Sequence, residues 1–440
     1  MAIVEERASL PANTVERYRK WLQDEFHKAA ASDPGRTSSG EDAQRLLQSI
    51  HERSQMQLPE NIKIQVFSHV LEEALGFGPI QGLIHDPTVT EIMVNGARSV
   101  YVERNGKLEK TKIVFSGPQA VLDLINQIIT PLGRSVDSDH PTVDARLPDG
   151  SRVNAVIPPV AIDGPGLTIR KFAKEKLKIQ DLVGIGSVTE AMAKLLEACV
   201  VARLNVLISG GTGSGKTTLL NVLSSFVPEN ERIVTIEDSA ELQLHQDHVF
   251  RLEIKPPSQD GKGEVTIRDL VRNALRMRPD RIIVGEVRGG EAIDMLQAMN
   301  TGHDGSLTTL HANSPRDAIS RLETLVLMAG LGLPLRTVKE QIASAIDLIV
   351  QQARLRDGNR KVVSITEIVG MEGETIVLSE LFNFKETGVN SQGIVQGDLR
   401  PTGLRPMFTS RLESAGFKLP ALVFGAGKVH FNQQKRRGES

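Results

Sequence analysis

The sequence predicts an α/β protein, and three observations carry that expectation. From about Ser187 onward, apolar runs of strand length alternate with stretches of helical periodicity, the pattern of a mostly parallel sheet with crossover helices. One such run, Leu204-Asn205-Val206-Leu207-Ile208-Ser209, leads directly into a glycine-rich segment and then a helix-like stretch. Upstream, short period-two segments surround one helical stretch, which predicts a second, smaller mixed α/β lobe.

In chain order, Val15, Tyr18, Trp21, Leu22 and Phe26 recur at helical spacing and predict a helix over about 12–30. Ala31 to Gly40, with Pro34, Gly35, Ser38 and Ser39, reads as a turn-rich linker. Further helices are expected at about 41–55 and 59–75, so that residues 1–58 make a helical module. Gly76-Phe77-Gly78-Pro79 ends that run. Thr90–Val94 and Val100–Glu103 alternate like half-buried strands, and Asn105-Gly106 is a hairpin-turn signal. A helix near 119–132 and strands through Ile169 complete a lobe over 59–172. Residues 173–186, charged and then glycine-bearing, read as a linker or hinge. The remainder, 187–440, is expected to be the sheet domain with a Gly- and Pro-richer extension ending in Lys435-Arg436-Arg437, most simply a solvated tail, with contact to anionic lipid or nucleic acid as the alternative.

Composition narrows the function. The chain has 440 residues, 40% hydrophobic and 24% charged, which is ordinary for a globular protein of two or three domains. Only 4% is aromatic, which leaves few rings for stacking bases and weakens a single-strand-binding reading, and the net charge of −2 gives no global attraction to polyanions. The single cysteine, Cys199, excludes an intrachain disulfide framework and reads as a buried thiol of a protein in a reducing cytosol. The first ten residues lack the apolar core of a signal peptide, and no window reaches the roughly 20 apolar residues of a membrane span. A soluble, cytoplasmic protein is expected.

The glycine-rich segment is Gly210-Gly211-Thr212-Gly213-Ser214-Gly215-Lys216-Thr217, a match to G-x-x-x-x-G-K-T in the strand–loop–helix context that motif needs. Glycines let backbone N–H groups wrap a phosphate, and the helix N-terminus adds its positive end. Lys216 would reach the outer phosphates, and the Thr217 hydroxyl would ligate Mg²⁺. Gly210, Gly211, Thr212, Gly213, Ser214, Gly215, Lys216, Thr217 and Thr218 are therefore the candidate nucleotide-binding residues.

Three later segments supply chemistry around that loop. Arg281-Ile282-Ile283-Val284-Gly285-Glu286 is a buried-type strand ending in a carboxylate, which makes Glu286 the candidate general base. Ile233-Val234-Thr235-Ile236-Glu237-Asp238 brings acids to a strand end, where ligands of open α/β sheets sit. Glu237 could bind Mg²⁺ through water or position the nucleophile; the plainer alternative is that these acids cap the following turn. Thr301 to Asn313 carries His303 and His311, too sparse a set for zinc and better suited to sensing a terminal phosphate, or to a structural role.

Together these segments resemble the secretion ATPase superfamily of type II secretion, type IV secretion and type IV pili. Its Walker A loop, Asp box, Walker B strand and His box would be Gly210–Thr217, Thr235–Asp238, Ile282–Glu286 and Thr301–His311. The segments Asp86–Gly96, Arg146–Asn154 and Leu167–Phe172 are similar to the CpaF/TadA-type ATPases of tight-adherence (Flp) pili, and the likeness spans about 60–385. The four-cysteine insertion and long N-terminal domains of many pilus extension ATPases are absent; short type IV secretion ATPases remain close.

The resemblance implies a RecA-like P-loop domain, a PAS-like N-terminal lobe, ATP as substrate, and a homo-hexameric ring acting on an inner-membrane platform protein. It also implies that Arg152 and Arg170 reach the phosphates, with Arg146 a secondary candidate; arginine suits charge on a transferring phosphoryl group, and surface ion pairs are the plainer alternative. Glu286, Glu237, Arg152, Arg170 and His311 are thus the candidate catalytic residues. Two rival functions share the fold: a RecA-like DNA translocase, whose turnover DNA would stimulate, and a nucleotide switch that does not hydrolyse.

Overall fold

In a computed structural model of the chain, which describes residues 12–32, 40–104, 106–172, 177–257 and 262–425, the first of two compact units (Met1–Ala173) opens with three helices. They run over Ala12–Ser32, Gly40–Ser54 and Glu60–Leu75. Tyr18, Leu22 and Phe26 of the first bury against Leu47 and Ile50 of the second and Val66 and Val70 of the third. Apolar residues three and four apart give each helix the stripe that makes this possible. The Tyr18 hydroxyl lies 2.6 Å from His51 Nδ1 and 2.9 Å from Ser54 Oγ, so the polar tip of a buried ring has partners.

An antiparallel sheet follows, built from β1 (Val89–Asn95), β2 (Ser99–Arg104), β3 (Lys107–Lys110), β4 (Thr142–Arg146), β5 (Arg152–Val156) and β6 (Gly166–Arg170) in the order β3-β2-β1-β6-β5-β4. Alternate residues Ile92, Val94, Val100, Val102 and Ile169 face one core, and the helix Pro118–Ile129 covers it with Val121, Leu124 and Ile125. Across the other alternation, Arg146, Arg152 and Arg170 stand directly opposite one another on β4, β5 and β6, with Glu91 of β1 next in the row. Asn105, of the expected hairpin turn, lies outside the described residues.

The second unit (Lys174–Ser440) holds a nine-stranded sheet. Its strands are β7 (Val206–Gly210), β8 (Ile233–Glu237), β9 (Val249–Glu253), β10 (Arg281–Val284), β11 (Leu307–His311), β12 (Leu348–Arg354), β13 (Arg360–Glu372), β14 (Thr375–Val389) and β15 (Val395–Pro401). The order is β15-β14-β13-β12-β7-β11-β10-β8-β9, with β12 through β9 parallel. Strands β7, β8 and β10 are buried along their whole length, as strands covered on both faces must be. Val206 and Ile208 of β7 join one apolar core and Leu207 the other, so the two cores lie on opposite faces.

The sequence predicts a mostly parallel sheet here, and the structure differs at one end: β12, β13, β14 and β15 form an antiparallel meander. Gly373 and Glu374 alone join β13 to β14, far too short a connection for a crossover. Of the expected linker 173–186, residues 173–176 lie outside the described residues, and Ile179–Gly184 is a helix. Ile179 and Leu182, three apart, bury in the sheet domain's core and explain why that turn is helical. Cys199 is fully buried in the helix Glu190–Val201. Residues 33–39 of the first linker and the Lys435-Arg436-Arg437 tail are outside the described residues. No described helix is long and apolar enough to cross a membrane.

Candidate active site

Because β7, β11, β10 and β8 are parallel, their C-terminal ends share one edge, and the predicted chemistry converges there. Gly210, last in β7, is in register with His311, last in β11. The loop from Gly211 to Gly215 then turns into the helix Lys216–Ser224, with Gly213 and Gly215 at φ of +68° and +96°. Within the loop, Ser214 Oγ donates to the Gly211 carbonyl at 2.9 Å and Lys216 Nζ donates to the same oxygen at 3.0 Å. Thr217 is half-buried one residue into the helix, and Thr218 is exposed.

Lys216, His311 and Glu286 form a line. Lys216 Nζ is 3.2 Å from His311 Nε2, which is 2.7 Å from Glu286 Oε1. Burial holds both Lys216 and His311 below their ordinary pKa values, against the Glu286 charge, which pulls the other way. Glu286 lies two residues past the end of β10, anchored by the Gly285 N–H donating to the Ile236 carbonyl at 2.8 Å and by Thr309 Oγ1 donating to the Gly285 carbonyl at 2.7 Å. A Cβ at Gly285 would stand 2.9 Å from Glu237 Cγ, so glycine before Glu286 is what lets the two acids share this edge.

Glu237 ends β8 and is buried. Its Oε2 accepts from the backbone N–H groups of Glu241 at 2.7 Å and Leu242 at 2.9 Å, so this oxygen does cap the following turn. Its Oε1 is buried without a hydrogen-bond partner among the described residues. Burial pushes the Glu237 carboxyl up to about 7 despite those two donors. A raised pKa means that the folded state holds a proton the unfolded chain releases. The stabilisation is complete below about pH 4.5 and is lost as pH rises through about 7, amounting to about 3 kcal/mol. In buffer free of divalent cations, Glu237→Gln is therefore expected to flatten the fall in thermal midpoint between pH 5 and 8. Parallel profiles for the two proteins would contradict it.

Arg288 is a member of this site that sequence reasoning missed. Its Nε and Nη2 donate to Glu286 Oε2 at 2.9 and 2.6 Å, and its Nη1 donates to Asp238 Oδ2 at 2.8 Å. It thus ties the acid after β10 to the acid after β8. The signal was the spacing Glu286-Val287-Arg288: residues two apart in extended chain share a side. His303 sits before β11, at the opposite end of that strand from His311, and no group of metal-binding residues forms among the described residues. Arg152 and Arg170 belong to the first unit, paired across β5 and β6 with Arg146 beside them. The site so assembled has an ammonium beside a glycine-rich loop that opens a helix, a carboxylate just past a strand end, and a buried acid oxygen with no hydrogen-bond partner among the described residues.

Residues 73–389 match the family described as Type II/IV secretion system protein. Rv3659c of Mycobacterium tuberculosis, named as a conjugal transfer protein, is 38% identical over 307 residues, covering 68% of this chain and 87% of its own. The conjugal transfer protein TrbB of Rhizobium radiobacter is 36% identical over 297 residues, covering 66% of this chain and 86% of its own. The type IV secretion system protein PtlH of Bordetella pertussis is 36% identical over 310 residues, covering 63% and 89%.

Proposed function

The chain belongs to the type II/IV secretion system protein family, and from that membership we propose that it is an ATP-hydrolysing motor of a secretion or pilus machine. The observation that carries the proposal is the Lys216–His311–Glu286 line at the ends of neighbouring parallel strands, set against a phosphate loop. Within the family, the segments Asp86–Gly96 and Arg146–Asn154 favour assembly of tight-adherence pili.

Lys216 and the loop N–H groups bind the β- and γ-phosphates of ATP. Glu286, held by Arg288, takes a proton from the water that attacks the γ-phosphorus, and ADP leaves with the bridging oxygen. His311, between Lys216 and Glu286, reports whether the γ-phosphate is present. We assign Arg152 and Arg170 to offsetting charge on the phosphoryl group in transfer. The Thr217 hydroxyl and Glu237, directly or through water, would hold Mg²⁺. The unpartnered Glu237 Oε1 suits that hard, oxygen-seeking cation, which when bound lowers the charge on the phosphates. Residues 59–172 in this reading carry the arginines and 187–440 the hydrolytic machinery. Six copies form a ring that works in the cytoplasm on a platform protein of the inner membrane.

Phosphate release from ATP across a range of protein concentrations tests this. The rate per chain should rise with concentration as sites complete on assembly. A rate that stays flat would remove the ring, and no release from a protein that binds ATP would remove the motor.

A further inference from the structure

The hairpin of β12 and β13 lies against the phosphate loop and reaches one of its carbonyl groups. Arg360, first in β13, donates from Nε to the Gly213 carbonyl oxygen at 2.9 Å. It is itself anchored: its own carbonyl accepts from Ser187 Oγ at 2.7 Å, and the Val362 N–H donates to the Ser187 carbonyl at 2.9 Å. A Cβ at Gly215 would stand 3.2 Å from Arg360 Cδ and 3.2 Å from Gln352 Nε2. Two glycines of the loop are therefore roofed by residues that no phosphate-binding motif contains.

The consequence follows from peptide geometry. In a trans peptide the carbonyl and the next N–H point in opposite directions. Pinning the Gly213 carbonyl with Arg360 turns the Ser214 N–H to the other side, into the loop, where its protein partner, the Gly211 carbonyl, is a long 3.4 Å away. A cation on the carbonyl also polarises the peptide and sharpens that donor. We propose that Arg360 is a positioning residue of the nucleotide site, fixing the Gly213–Ser214 peptide so that the Ser214 N–H faces a phosphate. The inference rests on the nucleotide-hydrolysing reading above and extends the site to the antiparallel end of the sheet.

The test uses the full chain and two readouts, Mg·ADP affinity by calorimetry and the split between kcat and KM for ATP. In Arg360→Ala, the ADP Kd and the ATP KM should each rise about tenfold with kcat within about twofold, since loop geometry serves ground state and transition state alike. Arg360→Lys, which keeps the charge, should recover part of the loss. Arg356→Ala, on the same hairpin but paired with Glu386, should bind ADP as the wild type does. An unchanged Kd in Arg360→Ala, an equal rise in Arg356→Ala, or a fall confined to kcat would overturn the assignment. Should Arg360→Ala fail to fold, Arg360→Gln decides, and a wild-type Kd there overturns it. A wild type that binds no ADP would sink the parent reading as well; a wild type that binds, beside an unaffected Arg360→Ala, would sink this inference alone.

Discussion

Glu286→Gln is expected to slow phosphate release by about 10²–10⁴-fold while ATP and ADP still bind. Glutamine keeps the length of the side chain and one carbonyl oxygen for Arg288, which now grips the carboxylate with Nε and Nη2. What it cannot do is take a proton from water. The Lys216 side chain and the phosphate loop are left as they are, so the ground-state complex survives. Single-turnover phosphate release with nucleotide affinity measured alongside separates the two effects. Turnover within tenfold of wild type would show that another group accepts the proton, and affinity lost together with turnover would show that Glu286 shapes the pocket.

Arg152→Ala carries the second large expectation, a loss of turnover of about 10³-fold or more with folding stability within about 1 kcal/mol of wild type. The basis is the row Arg146, Arg152, Arg170, in which three guanidinium-bearing residues occupy directly opposite positions on adjacent strands. With Glu91 opposite Arg170 at the end of the row, the three arginines gather positive charge on one stretch of the sheet, and a transferring phosphoryl group is a use for it. Arg152→Lys separates geometry from charge, because an ammonium lacks the planar fork and should rescue poorly. A variant that hydrolyses ATP normally, or one that merely unfolds, would return Arg152 to the class of ordinary surface arginines.

The parts of this molecule that could be read from sequence are those written in contiguous residues. The strand, glycine-rich loop and helix around Lys216 lie in one stretch, and Gly285-Glu286 follows its strand directly. The helices of the first 75 residues announce themselves by apolar spacing, because each must bury one stripe. What was hidden depends on which strands become neighbours. Nothing in Glu286, His311 and Lys216 separately says that β11 lies between β7 and β10, yet that order is what brings them together. Arg288 and Arg360 act on Asp238 and Gly213, 50 and 147 positions away, and such pairings carry no local signature. The antiparallel end of the sheet was masked for a related reason. A β-strand that joins by a two-residue turn and one that joins by a helix look alike until the connection is measured.

Cys199 has a use beyond packing. It is the only cysteine in the chain, it is fully enclosed, and burial pushes its thiol well above the usual range. Thiol-directed reagents need an accessible thiolate, which this side chain does not offer. The natural protein is therefore silent toward maleimides and spin labels without any cysteine having to be removed. A single cysteine placed at Ile162, 94% exposed in the first unit, and another at Met328, 66% exposed in the second, would be the two reporting positions. A donor–acceptor pair there would report any change between the two labelled positions as nucleotide is added, in an otherwise unaltered protein.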